Sequence, residues 1–176
     1  MNQRFSFTGS SSYDTIHLVI IMSKHVSVLL DEAIDYLNIK EDGIYVDCTL
    51  GGGGHSSVIL SKLTSGHLYA FDQDDYAIKK ASEKLSSVGS NFTIIKSNFE
   101  HIKEELAKRD IHHVDGILYD LGVSSFQFDI PNRGFSYNYD ADLDMRMDQS
   151  KELTAKTIVN TYSFEDLTKI LYRYAD

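Results

Sequence analysis

Four consecutive glycines, Gly51 to Gly54, stand between a short apolar run, Ile44 to Cys48, and a segment of helical character that begins at about His55. An apolar run of this length bounded by a glycine turn reads as a buried strand, so the whole is a strand–turn–helix unit. Glycine has no Cβ, so the backbone of the turn can take positive φ and a bound group can approach its N–H groups closely. The helix that follows aims its positive end at the same place, which suits a carboxylate or a phosphate. A chain carrying this feature is constrained to a fold in which the turn lies at the carboxyl end of a strand.

The same order recurs along the sequence. Ahead of the turn, Leu29, Leu30, Ala33, Ile34 and Leu37 fall at helical spacing, with Asp31, Glu32 and Asp35 on the other side. Leu68 to Phe71 reads as a second strand ending at Asp72, and Ala77, Ile78, Ala81 and Leu85 form the next helical stripe. Phe92 to Ile95 is a third strand. Ser97-Asn98-Phe99-Glu100 has the capping-box pattern, which predicts a helix carrying Ile102 and Leu106. Gly116 to Tyr119 is a fourth strand, ending at Asp120. Strands alternating with helices predict right-handed crossovers and an α/β fold with a doubly wound parallel sheet. From Gly122 to Asp148 the periodicity lapses, as in a long ordered loop. Thr154 to Asn160 then reads as a helix, and Ser163-Phe164-Glu165-Asp166 as the cap of another. Residues 1–21 lack sustained periodicity and are read as a leader, with Met22 the natural start; the last helical pattern is cut short at Asp176, as in a truncated chain.

At 176 residues the chain can bury one sizeable core. The apolar stretch His17 to Met22 is far below the roughly 20 residues a membrane span needs, and the amino terminus lacks a signal-peptide pattern, so a cytoplasmic protein is expected. The net charge of -9 disfavours a broad nucleic-acid surface, so any RNA contact must be local. The single cysteine, Cys48, is expected to be a buried thiol. No metal cluster is expected, and His112-His113 reads as a surface turn.

In an open parallel sheet the first strand-to-helix turn is the usual cofactor cradle, and here it runs from Asp47 to His55. Asp72 follows Gly51 by about 20 residues, at the end of the second strand, where a carboxylate can accept both hydrogen bonds of a ribose diol. Dinucleotide enzymes and methyltransferases both use that device. The dinucleotide pattern G-x-G-x-x-G would need glycine where Ser56 stands, and the acids Asp72 and Asp74 disfavour a 2′-phosphate. Asp74 reads better as a helix cap. His25 and His55 adjoin the predicted functional segments and are equally open to functional and structural roles. No P-loop pattern is present.

Several motifs in fixed order carry a resemblance: His25-Val26-Ser27-Val28-Leu29-Leu30, Asp47 to Ser56, Asp72-Gln73-Asp74, Asp120-Leu121-Gly122-Val123-Ser124-Ser125, Arg133-Gly134-Phe135-Ser136, and Leu143-Asp144-Met145-Arg146-Met147-Asp148. Together they resemble the bacterial ribosomal RNA small-subunit methyltransferase H family from about residue 25 to the end. The resemblance implies an S-adenosylmethionine-dependent, Rossmann-like methyltransferase domain over 22–121, incomplete in its sheet. The loop and the start of a helical substrate-recognition insert would then occupy 122–176. It further implies methylation of the exocyclic N4 of a cytidine in 16S ribosomal RNA at the decoding centre of the small subunit. By similarity the S-adenosyl-L-methionine contacts fall on Gly53, Gly54, His55, Asp72, Phe99, Asp120 and Gln127. The chain departs from the family pattern at Phe126, where the family has proline, and at Tyr174-Ala175-Asp176, where the family continues Tyr-Gly-Glu-Glu.

Cytosine N4 is a poor nucleophile because its lone pair is delocalised, and an acceptor on the amine hydrogens can help to rehybridise it beside the aligned methyl group. Asp120 is the expected catalytic acceptor, with Ser124-Ser125 nearby and a purely cofactor-contacting role as its alternative. An unstacked base calls for aromatic faces and a few cations. Phe126, Phe128, Phe135, Tyr137 and Tyr139 are candidates for the faces, though most are expected to pack the loop. Arg133, Arg146, Lys151 and Lys156 are candidates for phosphate contacts. Two other classes share parts of this pattern: an NAD-dependent oxidoreductase, and a non-catalytic module that keeps the cofactor fold for docking.

Overall fold

A computed structural model of the chain describes residues 27–175. The expectations placed on residues 1–21, Met22 and His25 lie outside the described residues. Four strands form one sheet: β1 (Ile44–Asp47), β2 (His67–Asp72), β3 (Phe92–Lys96) and β4 (Gly116–Leu118). Their spatial order is β3-β2-β1-β4 and every pairing is parallel, with Asp47 aligned to Ala70 on one side and to Leu118 on the other. Consecutive parallel strands need a crossover, supplied here by α2 (Gly54–Lys62), α3 (Asp75–Ser86) and α4 (Ile102–Ala107); α1 (Leu30–Leu37) precedes the sheet.

Because successive side chains of a strand point to opposite faces, the sheet has two cores. On one face Tyr45, Leu68 and Ala70 pack with Ile34 of α1, Ile59 and Leu60 of α2, and Ala81 and Leu85 of α3. On the other Val46, Cys48, Phe71 and Ile95 pack with Leu106 of α4. Helices on both faces make the sheet doubly wound. The chain leaves β1 toward β2 on one side and returns to β4 on the other, so the order reverses beside β1. A crevice opens at the carboxyl ends of β1 and β4, where the glycine turn sits.

Two local expectations need correction. The cap ahead of α4 is Asn98, not Ser97: Asn98 Oδ1 accepts the Glu100 N–H at 2.9 Å, and a 3₁₀ turn, Phe99–His101, precedes α4. A side chain at Asn98 is one residue nearer the free N–H groups of that tight turn. The segment from Gly122 to Asp148 also contains structure that aperiodic composition hid, namely α5 (Ser125–Asp129) and a 3₁₀ turn, Pro131–Arg133. Both are too short for a hydrophobic period to register. Beyond them α6 (Ala155–Thr161) is capped by Thr154 and α7 (Phe164–Tyr174) by Ser163, as their sequences predict. Among the described residues no helix is long and apolar enough to cross a membrane.

Candidate cofactor site

The floor of the crevice is built by Asp47, the last residue of β1 and 1% exposed. Its Oδ2 accepts the Ser56 hydroxyl at 2.6 Å and its Oδ1 accepts the Thr49 N–H at 3.0 Å, so one carboxylate ties both ends of the glycine turn. Thr49 Oγ1 in turn accepts the Asp120 N–H at 2.7 Å, which joins the ends of β1 and β4 across the mouth. Both residues lie in the cradle that the sequence predicts from Asp47 to His55, but the bonds they make depend on partners outside the local pattern.

Within the turn, Gly53 has φ 73° and a side-chain carbon built there would lie 3.2 Å from Ala81 Cβ. At Gly54, the first residue of α2, such a carbon would overlap Ser27 Oγ. The positive φ favours glycine at Gly53, and the bare backbone at Gly54 lets α2 abut the segment before α1. His55 is buried, and its Nε2 lies 3.1 Å from the Val28 carbonyl. A carbonyl only accepts, so Nε2 donates there and Nδ1 is turned to Asp120 Oδ2 at 3.7 Å.

Asp72 closes the side of the crevice at the end of β2. Its Oδ2 accepts the Gly51 N–H at 2.8 Å and its Oδ1 the Asp74 N–H at 2.9 Å, leaving each oxygen a further lone pair. Burial pushes its pKa up from the ordinary carboxylate value, against the backbone N–H donors that pull it down. Asp120 is exposed at the opposite lip. Phe99 and Tyr119 follow the two edge strands, yet their rings meet edge-on at 5.5 Å across the carboxyl end of the sheet. Of the seven residues named by resemblance, six fall around one mouth, and Gln127 is set apart. Gln127 is buried in α5, where Oε1 accepts the Ser124 N–H at 2.9 Å and Nε2 donates to Asp74 Oδ2 at 3.0 Å.

The phosphate-contact assignments of Arg133 and Arg146 are overturned. Arg133 is 4% exposed and pairs with Asp74 at 2.7 Å, so it does not present a cation to a phosphate. Arg146 donates to both oxygens of Asp144 and to the carbonyls of Gln149 and Lys151, and Lys156 pairs with Asp142 at 2.8 Å. An Arg surrounded by acceptors of its own loop is a backbone brace. The expectation that most loop aromatics are packed is reversed as well. Phe126 lies against Tyr76 and Phe135 beneath Arg133, but Phe128, Tyr137 and Tyr139 are exposed and line a surface recess with Asp129, Ser136 and Asn138. Asp74 does cap α3, accepting the Tyr76 N–H at 3.0 Å. His112 and His113 are exposed. Among the described residues no group of three His, Cys, Asp or Glu side chains could hold a metal ion. Burial pushes the Cys48 thiol up to about 11, which keeps it protonated near neutrality and unsuited to nucleophilic chemistry.

The buried Asp47 yields a prediction with a definite sign. Burial pushes its pKa up from the usual value, only partly offset by the Ser56 and Thr49 hydrogen bonds. A carboxyl raised in the folded state stabilises the fold fully below its unfolded pKa, and that contribution is lost as pH rises through the folded pKa. At neutral pH the ionised group is therefore a net liability. Asp47→Asn keeps an acceptor for Thr49 and a partner for Ser56, and should raise the melting temperature at pH 7. The gain should shrink as pH falls and vanish below about pH 3, where Asp47 is protonated in both states. A melting temperature lowered at pH 7 would count against this account.

A β3-β2-β1-β4 parallel sheet with a glycine cradle after β1 and an acid after β2 defines a doubly wound α/β domain of the methyltransferase type. Residues 22–176 match the MraW methylase family, and the chain belongs to that family. Ribosomal RNA small subunit methyltransferase H of Exiguobacterium sibiricum is 59% identical over 155 residues, covering 88% of this chain and 50% of that protein. The chain spans about half the length of that curated relative. A candidate rRNA-methylase from Clostridium thermocellum is 26% identical with TM-score 0.48, over 56% of this chain and 53% of the other. A candidate methyltransferase from Streptococcus mutans, solved in complex with SAH, is 29% identical with TM-score 0.37, over 43% of each chain.

Proposed function

We propose that this protein is a cytoplasmic S-adenosyl-L-methionine-dependent methyltransferase that modifies the exocyclic N4 of a cytidine in 16S ribosomal RNA of the small subunit. Membership of the methylase family, with a 59% identical relative named for that class of reaction, carries the reading. Residues 22–121 serve as the cofactor domain and 122–176 as the beginning of the substrate-recognition part.

The residues fit the cofactor. A cradle that a Cβ would fill at Gly53 and Gly54, the amino end of α2, and two carboxylates on facing lips suit a ligand with a carboxylate, an ammonium and a ribose diol. Gly53, Gly54 and His55 hold the amino-acid end, Asp72 the ribose, and Phe99 the adenine, with Asp120 completing the set and Gln127 acting on the rim through Asp74. When bound, the cofactor supplies an electrophilic methyl group on a sulfonium. Asp120 is exposed and therefore reachable by a base, and its carboxylate accepts hydrogen from the cytosine amine as N4 rehybridises. The Thr49 hydroxyl fixes the Asp120 backbone at the lip, accepting its N–H at 2.7 Å.

Calorimetric titration with S-adenosylmethionine, with NAD as control, tests the cofactor. Selective binding of S-adenosylmethionine is expected; preference for NAD would replace the reading by an oxidoreductase. Nucleoside mass spectrometry of small-subunit RNA after incubation tests the reaction, and methyl at cytosine C5 rather than N4 would overturn it. Asp72→Ala should weaken cofactor binding by about tenfold or more, the cost of two charge-assisted hydrogen bonds. Unchanged affinity would reject the ribose assignment.

A further inference from the structure

Arg133 is the most connected buried cation of the loop, and nothing in the proposed chemistry uses it. It and Asp74 stand 4% and 3% exposed, with Arg133 Nη1 2.7 Å from Asp74 Oδ2. Asp74 belongs to the cofactor rim, since its N–H donates to Asp72 Oδ1 at 2.9 Å. On its other side Arg133 Nη2 donates to the carbonyls of Arg146 at 2.9 Å and Met147 at 3.2 Å. The Met145 N–H donates back to the Arg133 carbonyl at 3.0 Å. One guanidinium therefore spans from the rim of the crevice to the carbonyls of Arg146 and Met147.

The fit between these segments is close. Gly134 has φ 71°, and a side-chain carbon there would overlap the Asp142 carbonyl and lie 2.6 Å from Asp144 N. Met145 itself is held at φ 59°, a left-handed conformation that a long side chain adopts only under tertiary constraint. The braced segment forms one wall of a recess of about 340 Å³, whose other walls include Gln73, Leu153 and Ile158. Gln73 is the residue between Asp72 and Asp74. The recess thus begins where the proposed ribose site ends, and Asp144 in its wall is held on both oxygens by Arg146 Nε and Nη2 at 2.9 and 2.6 Å.

We infer that Arg133 is a positioning residue: through Asp74 it fixes the Met145–Met147 wall in register with the Asp72 carboxylate, so that the recess beside the cofactor rim is set in shape by the occupancy of that rim. The inference rests on the cofactor reading above. Lysine could satisfy Asp74 but offers one point charge, and cannot also bridge to two carbonyls as the planar fork does. The brace is thus specific to arginine.

The test uses the whole chain with methionine methyls labelled with ¹³C, and S-adenosylhomocysteine as the probe. In the native chain, saturation should shift the Met145 and Met147 methyl resonances, assigned through Met147→Leu, and slow exchange of the Met145 amide. In Arg133→Lys the affinity for S-adenosylhomocysteine should stay within about threefold of native while the methyl shifts fall by about threefold or more, because the rim is kept and only its link to the wall is cut. Equal methyl shifts in Arg133→Lys and the native chain would overturn the inference, and so would affinity falling in parallel with the shifts. The amide exchange of the native chain decides the matter should the variant fail to fold: no slowing on saturation overturns the inference. No binding by the native chain would remove the cofactor reading, and this inference with it, whereas binding without a response at the wall removes only the inference.

Discussion

Phe71→Ala is expected to lower the free energy of unfolding by about 3–5 kcal/mol, read as a shift in the denaturant midpoint at unchanged slope. Phe71 is fully buried and packs with Val46, Cys48, Ile95 and Leu106, the centre of the core beneath α4. That core is the smaller of the two, and it rests on a four-stranded sheet. Few neighbours can move to fill the void, since Val46 and Ile95 are themselves fixed by strand pairing on either side. Small domains have only about 5–15 kcal/mol in total, so the variant should be largely unfolded at modest denaturant. The effect should reach the cofactor site as well, because the Phe71 carbonyl accepts the Leu50 N–H at 2.9 Å at the entry to the glycine turn. A loss under about 1 kcal/mol would mean that the two-core description is mistaken.

The second large effect is expected at Asp74. Asp74→Ala removes the only carboxylate paired with Arg133 among the described residues and leaves a cation buried without compensation, a change that costs about 3–5 kcal/mol. It also removes the cap of α3, worth about 1 kcal/mol, and the acceptor for Gln127 Nε2. The diagnostic comparison is the double variant Asp74→Ala with Arg133→Met. With the orphaned charge gone, it should recover much of the loss, since apolar replacement of a buried pair is often close to neutral. Equal destabilisation of the single and double variants in chemical denaturation would show that packing, and not the uncompensated charge, sets the cost.

Much of the fold was legible in the sequence because its signals are local. Ile44 to Cys48 and Leu68 to Phe71 are apolar runs punctuated by glycine and aspartate, and such runs can be satisfied only by strands buried on both faces. Four glycines followed by a helix can only be a turn with close backbone approach. The family motifs, strung in order from His25 to Asp148, named the class of cofactor domain for the same reason, since each is a contiguous string. Even the return bond from Gln127 to the Ser124 N–H was written as Ser-x-x-Gln and could have been read as a helix start.

What remained hidden were relations between distant residues. Arg133 and Arg146 read as phosphate contacts because an arginine in a polar loop carries no mark of what it faces. Only the tertiary structure put Asp74 2.7 Å from Arg133, across a long separation in sequence, and turned a presumed surface cation inward. Asp47 opened the cradle in the sequence, and only packing showed it to be a buried carboxylate tying Ser56 to Thr49. By itself the sequence determined the strand–turn–helix repeat, the cradle and the acids at the ends of β2 and β4, since hydrophobic periodicity and glycine stereochemistry act within a few residues. The tertiary structure alone decided which charges are buried and which loop residues brace others, because the partner that compensates a buried charge can come from anywhere in the chain.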